Sequence, residues 1–128
     1  MVDFIGVYDK VTRPSMCKEI IDFFEENKDL QFRGRTSFSG NVIVEPKVKD
    51  SKDMTLSFID ETVPSIIIAR ILEAKTSIYI DTFRSVDLID EFSAEMRYNI
   101  QRYNPGQGYH LVHCENSCLL YTSDAADD

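Results

Sequence analysis

The residues best suited to chemistry lie near the end of the chain, where a single residue separates His113 from Glu115. We predict a strand over residues 109–115, and on a strand residues i and i+2 point to the same face. His113 and Glu115 would then present an imidazole and a carboxylate side by side, and Tyr109 and Leu111 would share their face. Such a pair supplies two of the three ligands of a 2-His-1-carboxylate site, which binds Fe(II) and leaves coordination positions open.

The residues that precede His113 predict a strand, a turn and the start of a second strand. Residues 93–103 alternate between apolar and polar side chains, and a period of two is typical of a strand. Its apolar face would be formed by Met96, Tyr98 and Ile100. The cluster Asn-Pro-Gly-Gln-Gly at residues 104–108 predicts a turn. Tyr103 and Tyr109 flank this turn, where packing against other side chains explains them as well as contact with a ligand does.

The whole segment from Tyr103 to Glu115 resembles the core motif of the prolyl-4-hydroxylase-like branch of the 2-oxoglutarate/Fe(II) oxygenases. That motif is a strand ending in Tyr, a Pro/Gly turn, a second Tyr and then His-x-Asp. Upstream, Lys49-Asp-Ser-Lys-Asp53 is similar to a Lys/Arg-Ser-x-Asp element found in many relatives. The chain departs from the motif twice: Glu115 stands where the branch usually has Asp, and Tyr109 precedes the histidine by four residues rather than three.

The resemblance implies an α+β fold in which N-terminal helices pack on the first strands of an incomplete double-stranded β-helix, or jelly roll. It implies Fe(II) held by His113 and Glu115, 2-oxoglutarate as co-substrate in contact with Tyr103 and Tyr109, and ascorbate as a candidate additional reductant. The parent protein would hydroxylate a peptide or small molecule and release succinate and CO₂.

A distal histidine and a basic residue that pairs with 2-oxoglutarate come much later in such proteins, whereas this chain has only two histidines. The second is His110, which a strand would place on the face opposite His113. We therefore expect residues 1–117 to be the N-terminal part of an oxygenase domain, inactive on its own. Residues 118–128 resemble the translation of a transposase-type sequencing-library adapter, and we expect them to be an artefact.

Helical spacing predicts two helices ahead of these strands. The first begins at residues 12–15, with a hydroxyl cap and a proline in its first turn, and ends near Asn27. Its buried stripe would be Met16, Ile20, Phe23 and Phe24. The second runs from about Pro64 to Phe83, although residues 66–68 alone would also suit a buried strand. Its buried stripe would be Ile67, Ile68, Ile71 and Leu72.

Strands are expected at two further places. The apolar residues 4–8 suit a short strand. From residue 31 to residue 58 the chain is polar and irregular, with one strand expected at residues 41–44.

Composition narrows the function classes. A net charge of −8 argues against a surface that binds nucleic-acid phosphates. The chain has no apolar run of about 18 residues and no signal-peptide pattern, so we expect a cytoplasmic protein that does not span a membrane. Three cysteines without paired spacing suit a reducing compartment, with Cys17 and Cys114 as small buried side chains. The expected partner is a small-molecule or peptide substrate.

Two other function classes stay open. A non-enzymatic jelly-roll module for binding or structure would keep the fold without the metal. A hydrolytic metal enzyme would use His113 and Glu115 together with further downstream ligands. Zinc is disfavoured, because no second Cys/His pair at ligand spacing accompanies His113 and Cys114.

Overall fold

The computed structural model describes residues 3–38, 41–88 and 92–113, and over these ranges the fold is α+β. The helices are α1 (Pro14–Glu26) and α2 (Val63–Thr82), and the strands are β1 (Phe32–Arg33), β2 (Thr36–Phe38), β3 (Asn41–Ile43), β4 (Lys49–Asp50), β5 (Lys52–Ser57), β6 (Arg97–Arg102) and β7 (Gly108–Tyr109). Short 3-10 helices cover Lys28–Leu30, Phe58–Asp60 and Arg84–Asp87.

The chain divides into two compact units, one built from Met1–Phe32 and Lys52–Arg102 and the other from Arg33–Ser51 and Tyr103–Asp128. Unit 1 holds both helices and the sheet β1-β5-β6, to which β1 contributes Phe32. Unit 2 holds two antiparallel pairs, β2–β3 and β4–β7. Within the described ranges these strands do not close into a barrel. Among the described helices, none combines the length with the hydropathy that a membrane span requires.

Helix α1 begins and ends close to the predicted residues. Pro14 occupies the first turn, where a missing N–H costs nothing, and the helix ends at Asn27, whose backbone N–H and side-chain amide both donate to the Phe23 carbonyl. The predicted hydroxyl cap is wrong, because the N-cap residue is Arg13 and makes no side-chain hydrogen bond. The Thr12 hydroxyl instead lies 3.4 Å from the sulfur of Met16.

Helix α2 confirms the helical alternative for residues 66–68. Thr62 caps it, since the threonine hydroxyl oxygen accepts from the Ser65 N–H at 3.3 Å. The predicted stripe points partly inward: Ile67 is buried, Ile68 and Ile71 are half-buried, and Leu72 is 36% exposed.

The core of unit 1 lies between α1 and the β5–β6 pair. Phe24, Met54 and Leu56 are buried there, and Phe23, Tyr98 and Ile100 pack against them. The antiparallel register places Met54 opposite Ile100 and Leu56 opposite Tyr98, so both buried apolar residues of β5 have an inward neighbour on β6. The alternation predicted around Ile100 is confirmed for β6, where exposed and half-buried residues alternate, although residues 93–96 precede the strand.

Strand β5 was not predicted, since residues 31–58 were expected to be irregular apart from one strand. That strand is confirmed as β3, which pairs with β2. Lys52 and Asp53 at the start of β5 obscure its apolar face, which consists of only Met54 and Leu56.

The strand predicted for residues 4–8 is wrong. These residues form no strand, and Phe4 has a positive φ of 53°, outside the extended range. The Phe4 ring packs against Phe83 with 5.6 Å between centroids, and its carbonyl accepts from the Tyr79 hydroxyl at 2.6 Å. This segment is therefore held by side chains of α2 and its C-cap instead of by a strand partner.

Candidate functional site

The candidate site is built on the short β4–β7 ladder of unit 2. Lys49 lies opposite Tyr109, Asp50 lies opposite Gly108, and the His110 N–H continues the pairing by donating to the Val48 carbonyl at 2.8 Å. Directly opposed residues of an antiparallel pair project from the same face. The ladder therefore puts Lys49, from the upstream element of the sequence motif, beside Tyr109 from the downstream one.

A tight turn returns the chain to this ladder. The Gln107 N–H donates to the Asn104 carbonyl at 2.9 Å, and Gly106 has φ +87°. Pro at the second position and a positive-φ Gly at the third are typical of a type II turn. The predicted turn at residues 104–108 is therefore confirmed. Tyr103 lies immediately after β6, just before this turn, with its side chain 38% exposed.

Tyr109 lies at the centre of a cluster that it forms with Thr36 and His113. Its hydroxyl lies 2.7 Å from the hydroxyl of Thr36, and its ring stacks on the imidazole of His113 with 3.6 Å between centroids and 11° between planes. A phenol, an alcohol and an imidazole thus meet on the face that also carries Lys49. Sequence reasoning missed Thr36, and no local pattern could have found it, because the contact joins positions 73 residues apart.

The strand predicted over residues 109–115 is wrong for its described part. β7 ends at Tyr109, and residues 110–113 are irregular with a bend at Leu111. On a continuous strand, residues four apart are separated by roughly 13 Å, so the Tyr109–His113 stack requires the chain to fold back. Strand geometry therefore does not place Tyr109 and Leu111 on one face, and it no longer excludes His110 as a ligand. Glu115 and Cys114 lie outside the described residues.

The orientation of the His113 ring suits a metal ligand. Its Nδ1 lies 3.1 Å from the Leu111 carbonyl oxygen, a geometry that favours the tautomer in which Nδ1–H donates to that carbonyl. The lone pair then resides on Nε2. Metal-binding histidines commonly hold their second ring nitrogen in this way. Among the residues that the structure describes, no group of three or more His, Cys, Asp or Glu side chains could hold a metal ion.

The upstream element, Lys49-Asp-Ser-Lys-Asp53, is largely buried where it contributes to unit 2. In the upstream element, Lys49 is 6% exposed and Ser51 is 3% exposed, so both are buried. Asp50 lies half-buried, 3.8 Å from the Arg33 guanidinium.

Cys17 is exposed, so its assignment as a buried residue is wrong. It lies among the outward-facing residues of α1, where exposure costs a small side chain little.

Gly34 fits closely against the upstream element. Its N–H donates to the Ser51 carbonyl at 2.9 Å. A Cβ at this position would overlap the Ser51 hydroxyl oxygen and lie 3.2 Å from Cε of Lys49. The absence of a side chain therefore allows the Lys49 stem and Ser51 to pack where they do.

We expect Gly34→Ala to destabilise the fold by about 1–3 kcal/mol, because overpacking displaces Ser51 and Lys49. Urea denaturation followed by circular dichroism measures the change. Gly108→Ala is the matched control, since its Cβ would meet His110 Cε1 at an ordinary 3.5 Å. Equal losses in the two variants would contradict the close fit at Gly34.

Comparison with protein-family models, with curated proteins and with solved structures found no match to this chain.

Proposed function

We propose that this chain is the N-terminal part of an Fe(II)/2-oxoglutarate-dependent dioxygenase that hydroxylates a peptide or small-molecule substrate. The observation that carries the proposal is the pairing of Lys49 with Tyr109, with the His113 ring stacked on that tyrosine. Two elements that resemble one family's motif, far apart in the sequence, are neighbours in the fold. Chance matches to short motifs have no reason to meet in this way.

In this proposal His113 and Glu115 hold the iron, with the imidazole binding through Nε2. The Leu111 carbonyl fixes the tautomer by accepting from Nδ1–H, and the Tyr109 ring holds the plane of the imidazole by stacking on it. Bound iron would supply the activation of O₂ that is coupled to the conversion of 2-oxoglutarate into succinate and CO₂. Tyr103 and Tyr109 would orient the co-substrate through their hydroxyl groups.

The proposal also assigns the β4–β7 and β5–β6 pairs to the first strands of a jelly roll. A second histidine ligand and a basic residue for 2-oxoglutarate would come from sequence that follows Ser117. Residues 118–128 would be derived from an adapter. The 128 residues alone would then bind metal incompletely and would not turn over 2-oxoglutarate above the rate of free iron.

Sequencing the source DNA across the codon for Ser117 tests this proposal. We expect the reading frame to continue into further strands, with a histidine followed by an arginine or lysine. A native gene that encodes residues 118–128 and then stops would overturn the oxygenase assignment, because the ligand set could not be completed. In that case a non-enzymatic binding or structural module would become the better assignment.

A further inference from the structure

A cleft of about 270 Å³ lies between α2 and the start of α1. On α2 it is lined by Ile67, Ile71 and Ala74, which are four and three residues apart and therefore share one side of the helix. Val11 and Met16 contribute the rest of its apolar lining from the start of α1. The cleft therefore offers an apolar group a surface on which it can leave water.

Two cations, Arg70 and Lys75, complete the lining of the cleft. Arg70 is exposed and has no ion-pair partner among the described residues. The Lys75 ammonium lies 5.6 Å from the centroid of the Tyr8 ring. The face of that ring attracts the charge, but it does not use all three N–H groups of the ammonium. Both cations therefore retain hydrogen-bond donors for an anion.

The positive charge of this cleft contrasts with the composition of the chain. The sequence has 22 acidic and 14 basic residues, yet among the described residues no Asp or Glu lines the cleft. Because the net charge of −8 repels anions at long range, an anion that offers only charge gains little here. An anion with an apolar tail gains from burial of the tail as well.

We propose that this cleft binds the anion of a medium-chain fatty acid, with its tail against the apolar lining and its carboxylate at Arg70 and Lys75. The volume of about 270 Å³ lies just below the roughly 300–1,000 Å³ of typical small-molecule pockets, so a short ligand fits better than a long lipid tail. A guanidinium matches a carboxylate, because it can donate two parallel hydrogen bonds. The cleft belongs to unit 1 and His113 to unit 2, and the proposal does not depend on the oxygenase function.

The test titrates the full chain with octanoate, below its micellar concentration, while amide chemical shifts are followed by NMR. We expect saturable shifts at Val11, Ile67 and Ala74. Acetate has the charge without the tail, so it should bind at least about tenfold more weakly. Octylamine has a tail of the same length with the opposite charge, and at these residues it should also bind at least about tenfold more weakly.

Two double variants test the role of the cations. Arg70→Gln combined with Lys75→Gln removes both charges and should weaken octanoate binding at least about tenfold, the loss typical of a charge-assisted hydrogen bond. Arg84→Gln combined with Lys28→Gln is the matched control, because it changes the net charge equally at two exposed residues of unit 1 outside the cleft. It should bind octanoate as the parent chain does.

Ala74→Trp tests the apolar part of the cleft without changing any charge. Ala74 is exposed, so the variant should fold, and the indole should fill the cleft and abolish the saturable shifts. Absence of saturable shifts in the parent chain, or their persistence in Ala74→Trp, would overturn the site. Equal weakening by the two double variants, or binding of acetate or octylamine as tight as that of octanoate, would overturn the fatty-acid assignment. None of these outcomes involves metal binding by His113, so a failure here is distinguishable from a failure of the oxygenase proposal.

Discussion

Replacing His113 by alanine is expected to lower the affinity of the chain for Co(II) by about 10–100-fold. Loss even of an outer partner of a metal ligand costs this much, and loss of the ligand itself should cost no less. Co(II) is the appropriate probe, since it accepts the same nitrogen and oxygen ligands as Fe(II) and is stable in air. Its visible absorption reports directly on coordination, so a titration measures binding without any turnover.

Two further variants make the Co(II) experiment specific. Glu115→Gln removes the charge of the second proposed ligand and should weaken binding in the same direction. His110→Ala is the matched control, because His110 is an exposed histidine three residues away on the same irregular segment. If His110→Ala weakens binding as much as His113→Ala does, the metal binds non-specifically to a chain whose net charge is −8. The proposed ligand pair would then be wrong.

Met54→Ala is expected to destabilise unit 1 by about 2–5 kcal/mol. Met54 is 0% exposed, lies opposite Ile100 and packs with Phe24 and Leu56, so its truncation leaves a cavity that the paired strands cannot fill. Urea denaturation followed by circular dichroism measures this loss, and thermal unfolding should show a lower Tm.

Met96→Ala provides the control for the core truncation. The chemical change is identical, but Met96 is 54% exposed, so we expect a change within about 0.5 kcal/mol. Similar destabilisation by both variants would mean that Met54 does not occupy a packed core. The β5–β6 pair would then not be the structural centre of unit 1.

Periodicity predicted the parts of the fold that local spacing determines. The stripe ending in Phe23 and Phe24 predicted α1, and Pro64 marked the start of α2. Strand β5 was missed because its buried residues include Asp53, which is 2% exposed and looks like a surface residue in the sequence. A carboxylate that is buried by tertiary packing carries no local signature.

The candidate site was predictable only in its residue types. The motif grouped Tyr109 with His113, but the geometry expected for them was a straight strand, whereas their rings stack because the chain folds back after β7. Stacking of two rings depends on side-chain surfaces that a period-two pattern does not describe. The Thr36 contact and the Lys49–Tyr109 register arise from long-range pairing, which a single sequence does not reveal.

The register of the β5–β6 pair has a consequence for how the site assembles. Lys52 lies opposite Arg102. The segment that precedes Lys52 and the segment that follows Arg102 therefore start next to each other at the edge of unit 1. Formation of the core shortens the loop that the Lys49–Tyr109 pair must close from about 60 residues to about ten, and this lowers the entropic cost of closure by about 1.5 kcal/mol. We therefore expect the β4–β7 ladder to form after unit 1 has folded, because closing the shorter loop costs less entropy. A cavity in the core of unit 1 would therefore weaken the β4–β7 ladder through chain entropy.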